Sequence, residues 1–187
     1  MHDMTATVWK DLVGNGYDLD IYGSVEPNCV RTTNTSAAGM SGTISGISTI
    51  ECCCKIDPTS GTSLGLLAYS GIMDTTHLGL VYYGPNVGFQ TYSDIFWAYS
   101  DIATEAARTV TATTSACYVD GVSLQSTSHS VDQWNNQLYT GIGGRHWQNH
   151  SWRAVGDYYC VRFYNRELTA AEIAKNHAID KRRFNLP

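Results

Sequence analysis

Charged side chains are scarce in this sequence: Asp, Glu, Lys and Arg make up 16% of its 187 residues, against roughly 25% in an average globular chain. Gly, Ser, Thr and Tyr fill the gap, which favours strands and turns over helices. The net charge of −5 comes without any basic stripe, and this excludes a partner held by its phosphate backbone, so no nucleic acid is expected. The only basic cluster, Lys181-Arg182-Arg183, reads as a solvated tail. No run approaches the ~18 apolar residues of a membrane-spanning helix. The basic, apolar and small-residue succession of a signal peptide is missing too, and Met1 reads as a start codon placed ahead of an excised segment. Cysteine numbers six, but three are consecutive at Cys52, Cys53 and Cys54 and the others stand apart at Cys29, Cys117 and Cys160. That distribution has neither metal spacing nor the look of a disulfide framework. It suits folding in a reducing compartment such as bacterial cytoplasm. Catalytic signatures are equally absent: there is no G-x-S-x-G elbow, no H-E-x-x-H helix and no Glu-x-Asp-x-x-Glu strand.

What the sequence does contain is organised around Gly156 to Ile173. Residues 156–164 alternate as a half-buried strand must, with Tyr159, Val161 and Phe163 on one side, expected to face the core, and Tyr158, Cys160, Arg162 and Tyr164 on the other. The period then changes. Thr169 followed by Glu172 is a capping box, in which each side chain satisfies a free backbone amide at a helix start, and a short helix is expected from Ala170 to about Ile179.

The length suits one domain over residues 1–187. Near its start, Trp9 is followed by a glycine-rich stretch bearing Asp11, Asn15 and Asp18. Oxygen ligands on a tight turn suit calcium, while the same side chains can instead cap their own backbone. The turn is the favoured reading, because the twelve-residue calcium-loop pattern is missing. Residues 30–46 read as loop or edge strand. In the cysteine run, Ile50, Cys52, Cys54 and Ile56 form an apolar face, with Glu51, Cys53 and Lys55 expected to face out. Short apolar runs follow at 64–69, 78–83, 87–92 and 95–99, and strands spaced near ten residues apart mean a sandwich or barrel. Thr109 to Val119 reads as one long strand, turned back on itself by Asp120-Gly121.

The segment Arg145-His-Trp-Gln-Asn-His-Ser-Trp-Arg153 sets two tryptophans among planar polar groups. An aromatic face packs against the C–H groups of a sugar ring while amide, imidazole and guanidinium groups take its hydroxyls. The alternative is that Trp147 and Trp152 plug the core beneath a long loop. The sugar-binding candidates are Arg145, His146, Trp147, Asn149 and Trp152, with Tyr92, Trp97 and Tyr99 as weaker ones from a neighbouring region.

Tyr118-Val-Asp-Gly121, Ile142-Gly-Gly-Arg145 and the Gly156–Glu172 segment, in that order and spacing, resemble the laminin G-like branch of the concanavalin A-like lectin/glucanase superfamily, in its bacterial or phage type. Trp9-Lys-Asp-Leu-Val-Gly-Asn-Gly16 and Ala178 to Phe184 are similar to further parts of such domains, whereas residues 27–108 match only in strand rhythm. The resemblance implies an all-β fold, an antiparallel two-sheet jelly-roll sandwich with one short C-terminal helix. It also implies a strand ahead of Trp9 that this sequence lacks. The expected function is a non-catalytic, lectin-like module of a larger extracellular, cell-surface or virion protein, with a glycan or cell-surface receptor as partner. The alternative is a structural or protein-binding decoration domain of a phage or bacterial surface protein. A glycosidase is the third reading, because Asp94, Asp101 and Glu105 are spaced seven and four residues apart and do not share a strand face.

Overall fold

The computed structural model describes residues 8–16, 18–21, 24–33, 38–41, 44, 46–57, 65–72, 76–83, 86–90, 95–99, 106–124, 139–143 and 154–186. In chain order the strands are β1 (Val8–Trp9), β2 (Leu19–Ile21), β3 (Ser24–Glu26), β4 (Cys29–Arg31), β5 (Ala38–Ser41), β6 (Thr49–Ile56), β7 (Gly65–Ile72) and β8 (Thr76–Tyr83). They continue as β9 (Asn86–Gln90), β10 (Ile95–Tyr99), β11 (Arg108–Thr113), β12 (Cys117–Val119), β13 (Val122–Ser123), β14 (Tyr139–Ile142) and β15 (Gly156–Tyr164), and the helix α1 (Ala170–Phe184) follows.

The strands form two antiparallel sheets. The first runs β1-β2-β5-β14-β7-β8-β9-β10 and the second β13-β12-β11-β6-β15-β4-β3. One apolar cluster joins them: Trp9, Leu19, Leu80, Val87 and Ile142 of the first sheet pack with Val30, Ile50, Cys52, Cys54, Ile56, Val110 and Tyr158 of the second. That is the expected all-β sandwich with its single C-terminal helix. The apolar runs between 64 and 99 become β7 to β10.

Several expectations need correcting, each for a physical reason. Within residues 30–46, β4 and β5 are not edge strands, because β4 lies between β15 and β3 and β5 lies between β2 and β14, whereas Thr32, Ile44 and Gly46 lie outside strands as the loop reading expects. The Thr109–Val119 stretch is two strands: β11 ends at Thr113, the Thr113 hydroxyl accepts from the Ser115 and Ala116 amides at 3.2 and 3.0 Å, and β12 returns alongside. This local side-chain capping competes with a continued ladder. The Asp120-Gly121 turn is as expected, with φ of 53° and 78° and β13 leading away.

β15 is split by a bulge. Its register on β6 shifts between Tyr158 and Cys160, which leaves Tyr159 as the extra residue. A bulge reverses which alternate positions face which side. Tyr158 therefore lies in the inter-sheet core ahead of the bulge, and Val161 and Phe163 pack against that core after it. Tyr159, expected to face inward, instead joins Cys53, Cys160, Phe184 and Leu186 on the outer face.

That outer face is not solvent. Glu51 and Cys53, expected to face out, are both fully buried because α1 lies across them. The helix continues past Ile179 to Phe184, so Lys181, Arg182 and Arg183 form its last turn and not a tail. Cations there complement the negative end of the helix dipole. At the other end the capping box is present: the Thr169 hydroxyl accepts from the Glu172 amide at 3.3 Å and Glu172 Oε2 accepts from the Thr169 amide at 2.9 Å. Arg166 and the Thr169 groups hold the Glu172 carboxyl down at about 2. Thr169→Ala is expected to cost about 1 kcal/mol, seen as a lower thermal midpoint with native circular dichroism below it.

Candidate functional site

The structure describes the base from which the tryptophan-bearing segment springs. β14 ends at Ile142 in the first sheet and β15 begins at Gly156 in the second, so residues 144–153 connect the two layers. Their ends are tied together: the Ala154 amide donates to the Gly143 carbonyl at 3.3 Å. Thr32, just past β4, is the centre of the knot. Its hydroxyl donates to the Ala154 carbonyl at 2.9 Å and accepts from the Gly156 amide at 3.2 Å, and its own amide donates to the Gly156 carbonyl at 2.9 Å. Buried Tyr158 adds a hydroxyl donated to the Ala154 carbonyl at 2.8 Å. Gly143 takes a φ of +72° here, and a Cβ on it would fall 2.5 Å from the Thr32 methyl group.

Of the residues singled out in the sequence, Arg145, His146, Trp147, Asn149, Trp152 and Tyr92 lie outside the described residues, as do Asp94, Asp101 and Glu105. Trp97 and Tyr99 occupy alternate positions of β10, paired with Gly88 and Asn86 of β9. β10 is the edge of the first sheet, separated from β14 by β7, β8 and β9, which at ~4.8 Å per strand puts it roughly 19 Å away.

Beside the Thr32 knot lies a cleft of about 270 Å³ lined by Arg31, Thr32, Lys55, Asp57, Val155, Gly156 and Asp157. Arg31 grips Asp157 through Nε–Oδ1 at 2.6 Å and Nη2–Oδ2 at 2.9 Å. Those hydrogen bonds hold the Arg31 guanidinium well above its ordinary range. The Asp57 amide donates to the Val155 carbonyl at 2.9 Å, closing the floor. Cations, carboxylates, a hydroxyl and backbone atoms thus meet in one opening, a lining suited to a hydroxyl-bearing ligand. Sequence reading missed this cleft because its walls come from three separated segments, and only the Gly156-Asp157 pair carried any signal.

A second charged constellation lies under α1. Arg162 Nη1 donates to Glu51 Oε1 and to Asp180 Oδ2, both at 2.7 Å, and Nη2 donates to Asp180 Oδ1 at 2.5 Å. Glu51 also accepts from Thr111 and Asn176, at 3.3 and 3.4 Å. Burial pushes the Glu51 carboxyl up against the pull of Arg162. For Arg162 burial works towards neutrality, but the bonds from Asp180 outweigh it and keep the guanidinium charged. Both carboxylates are 0% exposed, so no substrate reaches them and the cluster is structural.

At the N-terminal turn, Asp11 accepts from the Val13 and Asn15 amides at 2.9 and 2.8 Å. Asp18 accepts from the Asp11 amide at 2.9 Å and pairs with Lys10 at 2.6 Å, and that ammonium lowers its carboxyl. These oxygens cap backbone and meet an ammonium, which is the turn arrangement and does not fit a converging calcium cage. Among the described residues, no group of three or more His, Cys, Asp or Glu could hold a metal ion, and no helix is long and apolar enough to cross a membrane.

Comparison with known proteins places this arrangement. A laminin G-type model, described as the concanavalin A-like lectin/glucanases superfamily, matches residues 76–174, just over half of the chain. The chain belongs to the concanavalin A-like lectin/glucanases superfamily. No curated protein matches it by sequence. Among solved structures, Trypanosoma rangeli sialidase in complex with 2,3-difluorosialic acid, a covalent intermediate, is similar with a TM-score of 0.72 and 18% identity, over 94% of this chain and 31% of the sialidase. The chain therefore spans less than a third of that sialidase's length. The carbohydrate-binding module CBM40 of Ruminococcus gnavus IT-sialidase, bound to α2,3-sialyllactose, is similar with a TM-score of 0.63 and 12% identity, over 82% of this chain and 98% of the module. At such identities the likeness is one of fold, and the superfamily sandwich carries lectins and enzymes alike.

Proposed function

We propose that residues 1–187 form one non-catalytic carbohydrate-recognition domain of a larger surface or virion protein. Its ligand would be a glycan held at the end of the sandwich where residues 144–153 cross between sheets. The observation that carries this reading is one of extent: the chain aligns with nearly all of a carbohydrate-binding module but with under a third of a sialidase. Trp147 and Trp152 are the proposed stacking surfaces, and Arg145, His146 and Asn149 the groups that take sugar hydroxyls, with the cleft at Arg31 and Asp157 beside their base. Tyr92, Trp97 and Tyr99 would serve an extended ligand only. A non-enzymatic role is supported by three of the described carboxylates, since Asp157 has both oxygens on Arg31 and Glu51 and Asp180 are buried on Arg162.

A glycan array followed by calorimetry tests this. Trp147→Ala and Trp152→Ala are each expected to weaken binding about thirtyfold, the effect of losing a central aromatic contact worth about 2 kcal/mol. Unchanged affinity in both variants removes the proposed site.

A protein partner is the second reading, favoured by the tip of the β1–β2 turn, where Leu12 and Val13 are 60% and 80% exposed on a well-capped backbone. Capture of the partner that survives enzymatic deglycosylation, and is lost with Val13→Asp, would select it over a glycan.

A further inference from the structure

The register of the second sheet brings together two cysteines that are remote in sequence. Cys160 is the direct antiparallel partner of Cys53. Such partners have Cα atoms about 4.5–5.5 Å apart, inside the range of about 4.4–6.8 Å that a disulfide spans. Both side chains share the outer face, in one small cluster with Leu186 that Ala107, Tyr159 and Phe184 border, and the Cys160 thiol also lies 3.8 Å from both carboxylate oxygens of Asp180. No other cysteine pair is arranged this way. Cys52 and Cys54 point into the inter-sheet core from alternate positions of one strand, opposite Val161 and Tyr158, and Cys117 faces Ala112.

The pair is closed off by the end of α1. Leu186 covers it, with its amide on the Lys181 carbonyl at 3.0 Å, and the Phe184 ring packs on Tyr159 with centroids 5.4 Å apart. Cys53 is 0% exposed and Cys160 is 3% exposed. The hydrogen bond with Cys160, together with burial, pushes the Cys53 thiol up, so in the closed state it remains a thiol and does not react. The last turn of a helix opens far more readily than the centre of a sheet, and α1 ends at Phe184 with Asn185 as its cap.

We propose that Cys53 and Cys160 form a thiol–disulfide exchange site for low-molecular-weight disulfides, gated by the docking of the C-terminal end of α1. When that end lifts, one cysteine as thiolate attacks a sulfur of the reagent, forming a mixed disulfide and releasing one thiolate. The second cysteine then attacks the protein sulfur of the mixed disulfide and releases the other. Two protons pass from the protein thiols to the two departing thiolates; the protein pair loses two electrons and the reagent's S–S bond gains them. The product staples β6 to β15 at the centre of the sheet.

The test uses the full chain and oxidised glutathione, with thiols counted in denaturant and linked peptides identified by mass spectrometry. The protein's six free thiols should fall to four, with residue 160 linked to the 52–54 peptide and the thermal midpoint raised by about 10 °C. Leu186→Asp should speed the loss at least tenfold, and Cys53→Ala or Cys160→Ala should abolish it. Retention of six thiols in both the wild type and Leu186→Asp overturns the proposal. So does a stable glutathione adduct without cross-link, or two thiols lost equally from Cys160→Ala. The first two readouts use chains with all six cysteines, so they stand even where an alanine variant fails to fold.

Discussion

Replacing Arg162 with methionine is expected to destabilise the protein by about 3–5 kcal/mol, a large part of an ordinary domain's stability. The size follows from what is left behind. Methionine fills much of the space, but Glu51 and Asp180, both inaccessible to water, lose the one guanidinium that bonds to them. A buried carboxylate without a counter-ion is costly, and the least costly response is to take up a proton. Burial already raises Glu51, with Arg162 as the chief opposing influence, so removing Arg162 raises it further. A carboxyl raised in the folded state contributes stability that is fully present below its unfolded value near 4.5 and is lost as pH rises through the folded value. The deficit of Arg162→Met against wild type should therefore shrink between pH 8 and pH 5, the reverse of the usual effect of acid on a paired carboxylate. Urea unfolding at both pH values measures it. Adding Glu51→Gln should recover part of the loss at pH 8 and little at pH 5. A deficit below about 1 kcal/mol, or one independent of pH, would show that the cluster does not hold the helix down.

Gly156→Ala is expected to have the second large effect, about 3 kcal/mol or more. The added Cβ would sit 2.2 Å from the Lys55 carbonyl oxygen and 3.1 Å from Ile56 Cα. These are backbone atoms of β6, a strand paired on both sides, so no flexible side chain can swing away. The strand start must shift, and with it the Thr32 knot that closes the base of residues 144–153. A lowered thermal midpoint is expected, together with weakened binding of the glycan proposed as ligand, the second even at temperatures where the variant is fully folded. Native-like stability would mean that β15 can slide without disturbing its neighbours.

The parts of this molecule that were legible in sequence are those set by neighbours in the chain. The capping box needs only Thr169 and Glu172, the Asp120-Gly121 turn only two residues, and the inner face of β6 only a period of two. The sandwich itself followed from strand rhythm and from a resemblance that the family match bears out. What was misread depends on distant partners. Glu51 looks like a solvent-facing charge until Arg162, 111 residues away, and Asp180 are placed over it. The cleft is closed by an Arg31–Asp157 pair that spans 126 residues. The bulge at Tyr159 is invisible to any alternation rule, because it is the failure of that rule.

The place of β15 in its sheet has a consequence for how the protein is made. It is the last strand among the described residues, yet it lies between β4 and β6, which belong to the first third of the given sequence. Until residues 156–164 have left the ribosome, β4 and β6 have no strand to join them, and the apolar face of the cysteine run stays without its central partner. Loop closure over more than a hundred residues makes such a step slow. Assembly of the second sheet therefore waits until β15 has been made, and until then the nascent chain carries an open, aggregation-prone edge at β6 that a chaperone is well placed to shield. Synthesis rate and chaperone supply, more than the stability of the finished fold, should govern how much soluble protein a cell yields.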